Sequence, residues 1–258
     1  MDAAKIAAAL ALVPALAWSQ DAEALYRQGA RLFAAKQTDA AIAAFQRSVQ
    51  LRPEFAPAWK ALGVAFASRG DFEAAATPFR NACERQPGLP DACLYYGRTL
   101  YLLNRFQAAI QVLREVARDG NAEGYRLLAL SLEAAGNTAE AGEAFRNATE
   151  RYTNGPPDED PAIDNAVFLF RQGQADSALA PLQAALQRHP DSARAHLELG
   201  SILLALNRLD DAAAHLERAV ALQPDNARAH LLLGKVYLRL GKPEAAEEHL
   251  RQGSRTVK

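Results

Sequence analysis

The sequence has almost no net charge and very few cysteines. Its 258 residues carry 29 basic and 30 acidic side chains, for a formal net charge of -1, and only 2 cysteines. Nucleic-acid-binding proteins usually present a clustered excess of Lys and Arg, so this balance argues against that class. Pro and Gly occur at intervals rather than in blocks, which favours an ordered, helix-rich chain over a disordered one.

The N-terminus lacks a hydrophobic run long enough to span a membrane. Its apolar stretch, Ile6–Trp18, has 13 residues, whereas a transmembrane helix needs roughly 20. A preceding Lys5 and the small-x-small sequence Ala15-Leu16-Ala17 predict a secretory signal peptide over residues 1–19, with the mature chain starting near Trp18 or Gln20 and exported to the periplasm or secreted. The alternative is an uncleaved N-terminal helix on a cytoplasmic protein.

The sequence also lacks motifs that carry catalytic or metal chemistry. It has no Gly-rich phosphate loop, no GxSxG, no HExxH and no CxxC. Of its 5 histidines, His196 and His230 recur 34 residues apart, and so do His215 and His249. Duplication of a repeat explains this pairing without a ligand. The sequence therefore predicts no enzyme, no cofactor and no metal site.

An internal repeat is the strongest feature of the chain. Residues 193–200 read ARAHLELG, and residues 227–234 read ARAHLLLG, 34 positions later. Comparable segments begin at 22, 56, 90, 122 and 159, which makes seven repeats. In each repeat the apolar residues fall three or four apart, with a Gly- or Asn-containing break in the middle, so each repeat is predicted to form two antiparallel helices.

Small residues recur at two steps of the repeat. The eighth residue is Gly or Ala in every repeat, and the twentieth is always Ala. We expect the two helices to cross closely at these steps, where a larger side chain would hold them apart. A Pro near the end of most repeats, such as Pro53 or Pro224, stops the second helix.

This pattern resembles the tetratricopeptide repeat, whose signature of aromatic, Leu, Gly, Tyr, Ala, Phe, Ala and Pro spans 34 residues. Trp59, Leu62, Gly63, Phe66, Ala75, Phe79, Ala82 and Pro87 carry the signature in the second repeat. The resemblance covers residues 22–258. It implies an all-α fold, a right-handed α-solenoid of about seven helix-turn-helix units. Polar residues at both ends of the array indicate a complete set.

Two features depart from the repeat. A Pro-rich polar link at 153–161, with its acidic part at 156–161, separates repeats one to four (22–155) from repeats five to seven (159–258), and is the expected place for a hinge or an interruption. Its Asp158, Glu159 and Asp160 are expected in a solvated loop. Pro78 and Pro181 fall inside predicted second helices and should bend them, either on an outer face without a role or to shape a partner surface.

The resemblance also places the two cysteines. Cys83 falls late in a second helix and Cys93 early in the following helix, and in this family those helices pack against each other. An exported protein could join them in a disulfide; otherwise they are two small buried side chains.

In this family, steps two, five, nine, twelve and thirteen of each repeat line a concave groove. The residues at these steps here include Tyr26, Phe33, Lys60, Leu94, Arg98, Tyr101, Arg126, Phe170, Arg171, Leu197, Arg228, Leu231, Lys235 and Arg239. Apolar side chains with scattered cations would suit an extended or helical peptide carrying acidic groups. The subtype that clamps acidic chaperone tails is disfavoured, because Val64 stands where that clamp needs Asn.

The expected function is therefore a non-enzymatic scaffold that binds a protein or peptide segment in this groove, in a bacterial cell-envelope assembly. Two alternatives stay open: an intracellular adaptor, and an accessory subunit of an enzyme that processes the cell wall or another polymer. No nucleic acid partner is expected. The partner and the oligomeric state are not encoded in the pattern.

Overall fold

A computed structural model describes residues 21–85, 89 and 91–255 of the chain. The predicted signal peptide lies outside these described residues. Within them the chain forms fourteen α-helices, one short 3-10 helix and no strand, so the predicted all-α fold is confirmed. By its internal contacts the chain divides into two compact units, an N-terminal unit that ends at Asp119 and a C-terminal unit that begins at Gly120.

Consecutive helices form one hairpin per repeat. In the N-terminal unit the helices are α1 (21–34), α2 (Thr38–Leu51), α3 (Ala56–Ser68), α4 (Phe72–Arg85), α5 (Ala92–Leu102) and α6 (Phe106–Arg118). In the C-terminal unit they are α7 (Ala122–Ala134), α8 (Thr138–Arg151), α9 (Pro161–Arg171), α10 (Leu179–Arg188), α11 (Ala193–Ala205), α12 (Leu209–Leu222), α13 (Ala227–Arg239) and α14 (Pro243–Arg255).

The turn inside each hairpin has the same geometry in all seven repeats. The fifteenth residue of every repeat has a left-handed backbone conformation, with φ between 57° and 83°. These residues are Lys36, Gly70, Asn104, Gly136, Gly173, Asn207 and Gly241. Gly adopts this conformation without steric cost, and Asn tolerates it better than most residues. This recurrent turn reverses the chain after the first helix and explains the Gly or Asn in the mid-repeat break.

Each hairpin is closed by the small residues that the sequence pattern singled out. The step-twenty Ala has no exposed surface in any repeat. At step eight the helices approach so closely that a Cβ added to Gly200 would lie 2.6 Å from Cγ of Leu216 and 3.2 Å from the carbonyl oxygen of Ala212. The predicted close crossing is therefore observed.

Replacing Gly200 with Val tests this crossing. The added side chain must displace Leu216 and the backbone of α12, so we expect a loss of about 1–3 kcal/mol in the free energy of unfolding. Urea denaturation measures this loss. Ser201→Val is the matched control, because it places the same β-branched residue in the same helix at a half-buried neighbouring position and should cost less than about 1 kcal/mol. Equal losses would contradict the close crossing.

The link before α9 is anchored, so the expectation of a solvated acidic loop is wrong for Asp160. This side chain has no exposed surface. It caps α9 by accepting a hydrogen bond from the backbone N–H of Ala162, and it accepts two more from the guanidinium of Arg188, at 2.9 and 3.0 Å. Asp158 accepts a hydrogen bond from the hydroxyl of Ser192 at 2.7 Å. The link thus packs onto α10 and α11.

The two unusual prolines differ in their surroundings. Pro78 lies inside α4, as predicted, but it is buried rather than on an outer face. Pro181 lies in the first turn of α10, because that helix begins only at Leu179 and is preceded by turns at 175–178. The missing N–H of a proline costs no helical hydrogen bond in a first turn. The prediction of a bend inside the helix is therefore wrong for Pro181.

Candidate functional site

The first helices of the hairpins carry the residues that the repeat pattern assigned to a groove. In the N-terminal unit, the rings of Tyr26 and Phe33 are half-buried against the hydrophobic core. The Tyr26 ring lies 5.4 Å from that of Phe55, and the Tyr101 ring lies 5.8 Å from that of Phe106 on α6. Much of the aromatic surface expected to meet a ligand is therefore used for packing.

The two cations of α3 and α5 have different environments. The ammonium of Lys60 lies 2.7 Å from the carboxylate of Asp91. Arg98, one turn after Leu94 on α5, is exposed and has no hydrogen bond or ion pair within the described part of the chain. Leu94 itself is half-buried. Arg98 is thus the cation of this surface that is available to an anionic partner.

Arg98 borders a mostly apolar cavity of about 290 Å³ between α3, α4 and α5. The residues that line this cavity are Val64, Ala67, Ser68, Phe72, Phe79, Tyr95, Arg98, Thr99 and Leu102. The Phe79 and Tyr95 rings stack at 5.4 Å. Of these residues, the predicted groove residues include only Arg98, although Val64, Ala67, Ser68 and Leu102 stand at the same groove-lining steps of the second and third repeats. Tyr95 and Thr99 lie at other steps of the first helix, and Phe72 and Phe79 reach in from the second helix α4, so the groove rule does not identify them.

Next to the cavity, a disulfide joins Cys83 of α4 to Cys93 of α5, with a Cα–Cα distance of 4.7 Å. Cys83 lies one helical turn after Phe79, and Cys93 lies two residues before Tyr95. The bond therefore links the two helices that contribute the stacked rings.

In the C-terminal unit, most of the predicted cations are neutralised by carboxylates of neighbouring hairpins. Arg126 of α7 donates to Asp164 of α9 at 2.5 Å and to Glu123 at 3.1 Å, and Arg194 of α11 pairs with the other oxygen of Asp164. Burial alone would lower the pKa of Arg126, but Asp164 and Glu123 outweigh it and raise that pKa above its ordinary value. Arg126 is therefore a buried structural cation.

The same pairing recurs further along the unit. Arg228 of α13 makes a two-pronged ion pair with Glu198 of α11, at 2.5 and 2.9 Å, and this hydrogen bonding raises the pKa of Arg228. Arg171 lies 3.3 Å from Glu133. These contacts join each hairpin to the next, so the cations stabilise the array rather than offer charge to a ligand.

The other predicted groove residues of this unit are three apolar side chains and two cations. Leu197 is buried in the core, so its assignment to an open groove is wrong. Phe170 packs partly against that core, and Leu231 packs under Gly253 of α14. Arg239 donates to the side-chain oxygen of Asn207 at 2.5 Å, whereas Lys235 is exposed and has no ionic partner among the described residues.

The sequence pattern missed the carboxylates. Asp91, Asp164 and Glu198 were not predicted as site residues, yet they decide which cations are available. Asp164 and Glu198 occupy step six, where the third and fourth repeats have the apolar Tyr95 and Leu127. A charge at that normally packed step is the signal that could have revealed them.

Each of the last two hairpins, α11–α12 and α13–α14, contains one pair of histidines. Nδ1 of His196 lies 3.0 Å from Nδ1 of His215, and Nε2 of His196 lies 3.0 Å from the carbonyl oxygen of Pro190. The carbonyl can only accept, so Nε2 of His196 donates to it and Nδ1 accepts from His215. His230 and His249 repeat the arrangement at 2.9 Å. In the described part of the chain no three metal-ligating side chains converge.

These pairs predict acid sensitivity. Burial lowers the pKa of His215, the neighbouring His196 lowers it further, and Asp211 raises it by less. Burial and then His230 lower the pKa of His249 in the same way, and Glu248 and Glu217 raise it by less. A lowered pKa in the folded state means that the unfolded chain binds more protons, so stability is lost as pH falls through the ordinary histidine pKa of about 6.5. The melting temperature should therefore fall between about pH 7.5 and pH 5.5.

The double variant His215→Gln, His249→Gln is the test of this pH dependence. It removes both shifted groups, so its melting temperature should change less over the same interval. A pH dependence identical to that of the unmodified chain would contradict the assignment to the histidine pairs.

Within the part of the chain that the structure describes, no helix has the length and apolar character needed to cross a lipid bilayer.

Within each unit, helical hairpins pack on the next hairpin in sequence, with small residues where the two helices of a hairpin cross. In the C-terminal unit, ion pairs also join neighbouring first helices. This architecture defines a helical-repeat protein. The chain belongs to the tetratricopeptide repeat family: family models described as tetratricopeptide repeat match residues 26–90, 165–220 and 66–131, and one described as TPR repeat matches 200–241.

Solved structures share the fold at low sequence identity. A tetratricopeptide repeat protein from Parabacteroides merdae has a TM-score of 0.71 at 13% identity, covering 93% of this chain and 94% of that one. A chain of the APC/C hetero-tetramer Cut9–Hcn1 has a TM-score of 0.66 at 19% identity; the match covers 84% of this chain, and this chain spans 42% of the length of that one. Pseudomonas aeruginosa pilF gives 0.55 at 17% identity, covering 93% of each chain. A comparison with curated proteins found no match.

Proposed function

We propose that this chain is a non-enzymatic scaffold that binds a protein partner through the α3–α5 face, the surface of Lys60, Leu94, Arg98 and Tyr101 with the adjoining cavity. Tetratricopeptide repeats generally mediate protein–protein interactions. The observation that carries the choice of surface is Arg98, an exposed cation without an ionic partner among the described residues, at the edge of an apolar cavity. Interfaces gain most of their affinity from a few such apolar pockets and arginines.

The proposed setting is the bacterial cell envelope, after export of the chain. The apolar N-terminal run with its small-x-small sequence supports export, and the Cys83–Cys93 disulfide suits an oxidising compartment. N-terminal sequencing of the protein from its native cells tests this setting. A chain that begins near Trp18 or Gln20 in the envelope fraction supports export, and an uncleaved chain in the cytoplasm contradicts it.

A pull-down with matched variants tests the surface. Arg98→Ala should reduce recovery of the partner from a native envelope extract by about 10-fold, because a charge-assisted hydrogen bond contributes roughly 1.5–3 kcal/mol. Arg80→Ala removes an exposed cation of α4 that does not line the cavity, and recovery with it should match the unmodified chain. Equal recovery with both variants would count against the α3–α5 face.

A further inference from the structure

The cavity beside Arg98 is a candidate for a specific ligand chemistry, which deepens and rests on the proposed function. Its volume of about 290 Å³ is at the lower limit of small-molecule pockets, roughly 300–1,000 Å³. This size suits one large side chain and its neighbour better than a whole cofactor. Its walls are apolar: Val64 and Ala67 on α3, Phe72 and Phe79 on α4, and Leu102 on α5.

The charge at the cavity restricts the ligand further. Among the residues that the structure describes, no acidic side chain lines the cavity, and Arg98 is its single cation. Lys60, on the same face, is already paired with Asp91. A guanidinium binds a carboxylate through two parallel hydrogen bonds, so the site favours an apolar group that carries a carboxylate close by.

The backbone around the cavity distinguishes between two kinds of carboxylate. Capture of a chain terminus typically uses clusters of free backbone N–H groups. Here the lining residues lie within α3, α4 and α5, whose interior N–H groups are used in helical hydrogen bonds. Phe72 is the first residue of α4, and its N–H donates to the carbonyl oxygen of Gly70 at 3.0 Å. An acidic side chain within a polypeptide segment therefore fits better than a C-terminal carboxylate.

We propose that the cavity binds an internal segment of a partner protein in which a large apolar residue is followed by Asp or Glu. The apolar side chain enters between Val64, Phe79 and Leu102, and the carboxylate pairs with Arg98. The Cys83–Cys93 disulfide holds α4 and α5 together at this point, so the cavity is formed before the partner arrives, which lowers the entropic cost of binding.

A peptide library tests the proposal on the full oxidised chain. The probes are acetylated, amidated octapeptides with a defined central pair of residues and randomised flanks. Pairs of Leu, Ile, Met or Phe followed by Asp or Glu should give the strongest binding. The matched pairs with Gln or Lys in place of the acid should bind about 10-fold more weakly or worse. A library without this selectivity would overturn the proposal.

Variants of the cavity separate its two parts. Arg98→Ala should abolish the preference for an acid but keep some preference for an apolar residue. Ala67→Phe should fill the cavity and abolish both, with far-ultraviolet circular dichroism confirming unchanged helicity. Arg80→Ala should bind as the unmodified chain does. Selected peptides that bind all three variants equally would overturn the proposal.

Other occupants are distinguished in the same assays. If oleate binds in an Arg98-dependent way and the peptides show no selectivity, the cavity binds a free carboxylic acid. If the chain self-associates in an Arg98-dependent way in analytical ultracentrifugation, the cavity binds a second copy of the chain. Either result overturns the proposal. If the pull-down retains its Arg98-dependent partner but the library shows no selectivity, only this inference fails. If the partner is recovered independently of Arg98, the proposed surface fails as well.

Discussion

Replacing Asp164 with alanine is expected to lower the free energy of unfolding by about 3–5 kcal/mol, the usual cost of removing one partner of a buried ion pair. The side chains of Asp164 and Arg126 are only 7% and 14% exposed. Arg194 pairs with the same carboxylate. Without Asp164, Arg126 would stay buried between α7 and α9 with only Glu123 to compensate its charge.

Urea denaturation followed by circular dichroism measures this loss. The matched control is Asp211→Ala, which breaks the ion pair of Arg208 and Asp211, whose side chains are 52% and 54% exposed. Exposed pairs contribute about 0–1 kcal/mol, so the control should be nearly as stable as the unmodified chain. Equal effects of the two substitutions would contradict the structural role of the buried pair. Asp164→Asn, which keeps the size but removes the charge, should also be strongly destabilising.

Reduction of the Cys83–Cys93 disulfide is expected to lower the free energy of unfolding by about 2–4 kcal/mol. The bond closes a short loop between residues 10 apart in sequence, and its loss lets the unfolded chain explore more conformations. The same reduction should weaken binding at the cavity, because α4 and α5 carry the stacked Phe79 and Tyr95 rings.

Thermal melts with and without reductant measure the effect. The variant Cys83→Ala, Cys93→Ala is the control: reductant should leave its melting temperature unchanged, while the oxidised natural chain should melt higher than its reduced form. Thiol titration of the denatured, unreduced protein gives a direct check. Two free thiols in protein taken from its native compartment would refute the bond.

The fold was predictable because every repeat contains the same close helix crossing and the same turn. Gly200 and the buried Ala212 mark a helix crossing that only small side chains permit, and the left-handed residue at step fifteen marks the turn. Both the crossing and the turn involve residues of a single hairpin, so they recur in the sequence with the 34-residue period. The bounds of the helices follow from them.

The candidate site was less predictable because it depends on how each hairpin is rotated against the next. Arg126 is unavailable only because Asp164 lies 38 positions later in sequence on the neighbouring first helix. Leu197 fits the groove rule but is buried by the packing of α11 against its neighbours. The repeat pattern gives a residue its step, whereas pairing between repeats determines whether its charge or surface is exposed.

The anchored link shows the same limit. Its Pro and acidic residues suggest a solvated loop, and composition alone cannot identify Arg188 as the partner of Asp160. Burial of that carboxylate is favourable only because Arg188 and the first turn of α9 both donate to it.

Site-specific photo-crosslinking in the native cells tests the central claim, that the α3–α5 face binds a protein partner, most directly. A photoreactive phenylalanine analogue replaces Tyr101 in one strain, which leaves Arg98 in place, and Arg80 in another. The account predicts a discrete crosslinked protein from position 101 and none from position 80. A crosslink from position 80 alone, or the same products from both positions, would contradict it.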